Sequence, residues 1–209
     1  MKKSILASCI AMIVTGAAFA QPVSDRAVVP VAVTLNQVLR LHVINGGNIE
    51  FVLNQIDDFR NGVANSAFYD TDIVVASSTD WEMNFGAEDA TFMGTDNIVN
   101  TLALNNVGFT ITETGTNTCC TALLDILIAG NVSTGTANAL VTYPVVLITT
   151  GATGNAGDVT ENAFTFNWEC GTQVAGGTST GVMNATSLLD QSITPDRYVT
   201  NVLFDIDSL

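Results

Sequence analysis

The chain has 209 residues, 47% of them hydrophobic, with 20 acidic residues against 6 basic ones and a single His. That length and apolar content fit one domain with a sizeable core and argue against general disorder. The formal charge of −14 argues against a nucleic-acid partner and against docking on an anionic lipid surface, because no basic footprint is present to meet phosphates.

Residues 1–20 read as a secretory signal. Lys2 and Lys3 form a positive start, Ile5 to Val14 is an apolar run, and Ala18-Phe19-Ala20 is a small-x-small cleavage site. The run is too short to span a bilayer as a resident helix. Leu6-Ala7-Ser8-Cys9 matches the pattern cleaved ahead of a lipid-modified Cys, but a lipoprotein signal places its Cys after the apolar run, and here the run continues beyond Cys9. The expected destination is extracellular or the outer cell surface. From Gln21 onward the chain holds no Lys, four Arg (Arg26, Arg40, Arg60, Arg197) and all 20 carboxylates, a formal charge of −16. Repulsion of that size keeps an exported protein soluble.

Beyond the signal, apolar and polar residues alternate in many short segments, the period of a β-strand. Val29, Val31, Val33 and Leu35 share one face of the first segment; Val28, Pro30, Ala32 and Thr34 share the other. Val38–Ile44 predicts a second strand, Asn45-Gly46-Gly47-Asn48 a turn, and Ile49–Leu53 the returning partner. Residues 55–62 break the alternation and predict a polar helical turn or loop. Strands are then predicted at 73–76, from Trp81 to Phe85, and at 102–104, 107–111, 139–149, 164–170 and 199–206. Residues 120–129 fit either a buried strand or a short helix, and 186–190 one helical turn. Loops rich in Gly, Thr, Asn and Ser are clearest at 114–118, 149–158 and 171–181. No charge run or Pro-rich linker divides residues 21–209, so a single all-β domain is expected: an antiparallel β-sandwich of Ig-like or pilin-like type with long loops. An outer-membrane barrel would need regular strands of about ten residues and aromatic girdles, and the few aromatics and irregular spacing do not supply them.

The chemistry-bearing residues form no strong motif. Cys119, Cys120 and Cys170 remain after the signal; in an oxidising compartment Cys170 is expected to pair with Cys119 or Cys120 as one structural staple. Gly177-Thr178-Ser179-Thr180-Gly181 fits G-x-S-x-G, but no strand-to-helix elbow surrounds it and His42 would have to be its base. His42 is expected at a solvent-facing or edge position. Asp57-Asp58, Asp70 with Asp72, and Glu88-Asp89 are paired carboxylates, read as solvated surface rather than as a glycosidase acid and base. Asp70-Thr71-Asp72 is a candidate calcium loop, offering two hard oxygen ligands without an EF-hand frame; no other cofactor is expected. The chain is read as non-enzymatic.

The stretch Arg26-Ala27-Val28-Val29-Pro30-Val31-Ala32-Val33-Thr34-Leu35, together with the export signal and the sandwich character, resembles the N-terminal extension of fimbrial subunits of the chaperone–usher pilin family. The resemblance implies that residues 27–35 form a donor strand, with Val29, Val31, Val33 and Leu35 filling pockets of a neighbouring copy. It implies further copies of the chain, a periplasmic chaperone and an outer-membrane usher as partners. The alternative is that 28–35 are the first strand of their own domain, where Pro30 would mark an edge. A fibre subunit is therefore expected; the alternative function is a secreted carbohydrate-binding or adhesive module. A sugar site would draw its aromatic platform from Trp81, Tyr69, Tyr143 or Tyr198. Trp81 and Trp168, flanked by polar residues, carry the pattern of core positions.

Overall fold

A computed structural model describes residues 26–64, 67–116, 138–150, 154–173 and 183–209. All its strands lie in one compact unit, Asn36–Leu209, and residues before Asn36 belong to a separate unit. The protein is all-β, with antiparallel sheets arranged as a sandwich. The strands are β1 (Leu39–Asn45), β2 (Asp70–Ser77), β3 (Trp81–Ala87), β4 (Thr91–Gly94), β5 (Thr101–Ala103), β6 (Val107–Glu113), β7 (Asn138–Ala139), β8 (Val145–Ile148), β9 (Gly157–Cys170), β10 (Tyr198–Val199) and β11 (Val202–Ser208). One layer is a five-stranded sheet in the order β1-β2-β9-β6-β7, and two three-stranded sheets, β11-β3-β8 and β10-β4-β5, complete the fold.

Alternation builds the core. In β9 the side chains of Phe164, Phe166, Trp168 and Cys170 are buried while Thr165, Asn167 and Glu169 are only half-buried on the other face. β3 does the same from the opposite layer with Trp81, Met83 and Phe85. The two faces meet through aromatic rings: Phe85 lies 4.8 Å from Phe109 and 5.8 Å from Phe166, and Phe166 lies 5.1 Å edge-on from Phe204. Such pairs add about 0.5–1.5 kcal/mol each beyond the area they bury. One buried amide ties the layers' ends. Asn155 accepts from the Trp81 amide at 2.9 Å and donates to the Trp81 carbonyl at 2.8 Å, and its own carbonyl accepts the Trp81 indole N–H at 2.8 Å.

Several predicted elements differ in the structure. Ile49–Leu53 is not a strand, and β1 pairs with β2, in the register Leu41↔Val75. The turn is real, but it serves another purpose. Gly46 takes φ +67°, and a Cβ there would sit 1.9 Å from the Asp70 carbonyl oxygen. The chain therefore leaves the sheet at the only residue type that allows the backbones so close. The predicted 139–149 strand is broken into β7 and β8 around Pro144, which has no N–H to donate to a ladder. The 199–206 strand is two strands, β10 and β11, in different sheets. Residues 187–191 form a single hydrogen-bonded turn, in which the Asp190 and Gln191 amides donate to the Ser187 carbonyl at 3.0 and 3.1 Å. The polar helical turn is present as α1 (Ile56–Asn61), capped by Gln55 and ended by Gly62 at φ +74°. Residues 26–38 lie in no strand, so the first strand of the domain is β1 and not 28–35. The segment 120–129 lies outside the described residues.

Candidate functional site

The N-terminal strip stands out by exposure. Val28, Val29, Val31, Val33 and Leu35 are between 76% and 90% exposed. The segment is apolar on both alternating faces apart from Thr34, and Arg26 is its only charge from 26 to 35. A row of large apolar side chains left in water is the informative kind of exposure, because monomers rarely keep contiguous apolar patches uncovered.

The sandwich, considered by itself, carries an apolar cleft of about 610 Å³. Residues 46–51, Leu53 and residues 193–202 line it, and so do the core residues Val107, Leu140, Trp168 and Cys170, so the cleft reaches the hydrophobic core. It opens where edge strands meet: β1 is the edge of the five-stranded sheet, β10 and β11 are edges of the other two, and β1 touches β11. Val43 shares the inward face of β1 with Leu39 and Leu41, yet it stays 38% exposed because it stands at the cleft; Val199 of β10 is 39% exposed there. Phe51 holds the 46–53 wall against Tyr69, with ring centroids 4.5 Å apart.

Charge is confined to the mouth. Arg197 Nε donates to Glu50 Oε1 at 3.0 Å, joining the two walls. The Asp196 carboxylate accepts from the backbone amides of Asp96 (3.0 Å), Asn97 (3.2 Å) and Arg197 (2.7 Å) and from the Asn100 side chain (2.9 Å). These hydrogen bonds, the one from the Asp96 amide foremost, hold its carboxyl below the usual carboxylate range. Tyr198 donates to the Thr194 carbonyl at 2.6 Å, and burial, with Asp196 nearby, pushes its hydroxyl pKa up. Inside the cleft, burial pushes the Cys170 thiol up to about 12, with the neighbouring Glu169 adding to the shift. A thiol so held is a poor nucleophile.

The other candidates do not converge on this cleft. Asp70 and Asp72 lie on β2 rather than in a loop, where each accepts from a cross-strand partner on β9, Asn167 and Thr165 respectively. Among the described residues no group of three or more His, Cys, Asp or Glu side chains is arranged to hold a metal ion. Asp58 accepts the Gln55 amide at 3.1 Å at the start of α1, and Asp57 pairs with Arg60 at 3.3 Å. Glu88 accepts from Asn201 and Asp89 from Thr200. His42 and Arg40 are exposed on the edge strand β1. Cys170 is a free, buried thiol; Cys119 and Cys120, its expected partners, lie outside the described residues, as does Gly177–Gly181. Trp81 and Trp168 are core residues, with the Trp168 indole donating to Thr71 at 2.9 Å. Tyr69, Tyr143 and Tyr198 are half-buried, and Tyr143 donates to Asp205 at 3.2 Å, so none offers an open platform.

The fold and the cleft define an all-β antiparallel sandwich with an open seam between edge strands. No family model matches this sequence, and no curated protein matches it. Sequence reading missed the cleft because its walls are far apart in the chain: Glu50 and Arg197 are separated by 147 positions. The only local signal was the Ile49, Phe51, Leu53 alternation, which reads equally well as a strand.

Proposed function

We propose that the protein is a non-enzymatic structural subunit of an extracellular or cell-surface fibre, pilin-like in its assembly. Residues 27–35 of one copy add as a strand to the seam of the next. The observation that carries this reading is the strip itself, five large apolar side chains left 76–90% exposed on eight residues with no charged side chain among them. Burying Val29, Val31, Val33 and Leu35 contributes roughly 1.5–3 kcal/mol each. That sum is comparable with the roughly 4–15 kcal/mol lost on association. Side-chain burial alone therefore gives a marginal complex, and main-chain pairing with an edge strand supplies the rest. The edges of β1, β10 and β11 beside the cleft offer such pairing, and the apolar cleft offers the pockets. The partners are further copies of the chain, delivered by export machinery of the chaperone–usher kind.

The test compares the chain beginning at Gln21 with one lacking residues 21–36. The longer protein is expected to form sedimentable polymers visible by negative-stain microscopy, and the shorter to remain a folded monomer with unchanged circular dichroism. A truncated protein that polymerises normally would sink the proposal.

A further inference from the structure

We propose that Arg26–Ala27 is a processing site, cut by a secreted endopeptidase of trypsin-like, Arg-specific chemistry. Such enzymes need Lys or Arg, and after residue 20 the chain offers only Arg26, Arg40, Arg60 and Arg197. Three of these are tied down at the backbone. Arg40 lies within the β1–β2 ladder, opposite Ala76. Arg60 is in α1, and its carbonyl accepts the Gln173 side chain at 2.6 Å. The Arg197 carbonyl accepts the Thr95 amide at 2.9 Å, its own amide donates to Asp196 at 2.7 Å, and its guanidinium is paired with Glu50. Arg26 is exposed, outside every strand and helix, in a run where residues 26–38 are all exposed. A protease must draw several residues of extended chain into its cleft, so cutting concentrates at such segments. The following residue is Ala27, which does not obstruct hydrolysis as a proline would.

The step is simple hydrolysis. Water adds across the Arg26–Ala27 amide, Arg26 leaves with the new carboxylate, and Ala27 keeps the new amine. The backbone engagement of Arg40, Arg60 and Arg197 keeps the cut single, and the chain from Ala27 onward survives whole. Its consequence rests on the fibre reading, since Val28–Leu35 would then stand at a chain end, free to thread into a neighbour. The chemical test does not depend on that reading, because its readout is mass.

The folded chain beginning at Gln21 is exposed to limiting trypsin and followed by intact mass. One early product beginning at Ala27 is expected, with cuts after Arg40, Arg60 and Arg197 at least about 100-fold slower because they wait on local or global unfolding. Arg26→Gln should remove the early product and leave the slow ones unchanged. Comparable early cutting at Arg40, Arg60 or Arg197, or resistance at Arg26, overturns the inference. N-terminal sequencing of material from the native source completes the test: a start at Ala27 supports processing, and a start upstream of it overturns it. Failure of polymer assembly with correct cutting would instead count against the fibre reading alone.

Discussion

Val28–Leu35 and Phe164–Cys170 look alike as sequence, and the structure treats them in opposite ways. Both alternate large apolar residues at every second position. In the second segment the intervening residues are Thr165, Asn167 and Glu169, and the strand sits with its aromatic face in the core and its polar face outward. In the first the intervening residues are Val28, Pro30, Ala32 and Thr34, of which only Thr34 is polar, and every side chain from 26 to 38 is exposed. A strand at the surface of a sandwich needs one face that water tolerates. A strand without one is suited only to being covered on both sides. The difference between the two segments lies in the positions that alternate with the apolar ones.

The sharpest way to break this comparison is to remove apolar side chains from each. Phe166→Ala leaves a void among Phe85, Phe109 and Phe204 and should cost about 3–5 kcal/mol, read as a shift in the urea midpoint. A smaller loss is expected from Asn155→Ala, about 1–3 kcal/mol by the same measurement, because the Trp81 backbone N–H and C=O lose their partner in a buried place. Replacing Val31 and Val33 together by Asp should leave monomer stability within about 0.5 kcal/mol, since nothing is lost from the folded core. The same double variant should abolish sedimentable polymer. A strip variant that destabilises the monomer as Phe166→Ala does would erase the distinction.

A fourth expectation concerns acid. The folded pKa of Asp196 is depressed, so its contribution is fully present above the ordinary carboxylate value and is lost as pH falls through the lower, folded value. Protection of the Asp96 and Asn97 amides, measured relative to their intrinsic exchange rates, should therefore persist through the ordinary carboxylate range and fall only at more acid pH. In Asp196→Asn the same amides should exchange quickly at neutral pH as well. Unchanged protection in that variant would show that the 95–100 loop is held by something other than this carboxylate.

The strands that were legible in sequence are those whose neighbours in space do not matter to their pattern. β3, β6 and the last half of β9 announce themselves by large apolar residues at every second position, Trp81, Met83 and Phe85, then Val107, Phe109 and Ile111, then Phe164, Phe166 and Trp168. Pairing was not legible. Ile49–Leu53 alternates as well as any strand, but the turn before it carries the chain past Asp70 at Gly46 and over the open end of the sheet instead of back along β1. The strip was visible as a pattern of apolar residues. The cleft was not, because it exists only when residues near 43–53 and 193–204 are brought together by the whole topology.

The protonated sulfur of Cys170 at the wall of the cleft gives the molecule a built-in gauge. Burial pushes its pKa up to about 12, so at neutral pH the sulfur stays protonated and reacts slowly with electrophiles. Alkylation at that position, with Cys119 and Cys120 replaced by Ser, then counts how often the seam breathes. A guest seated there should silence the reaction, so a reagent no larger than iodoacetamide can time occupancy without a label being added.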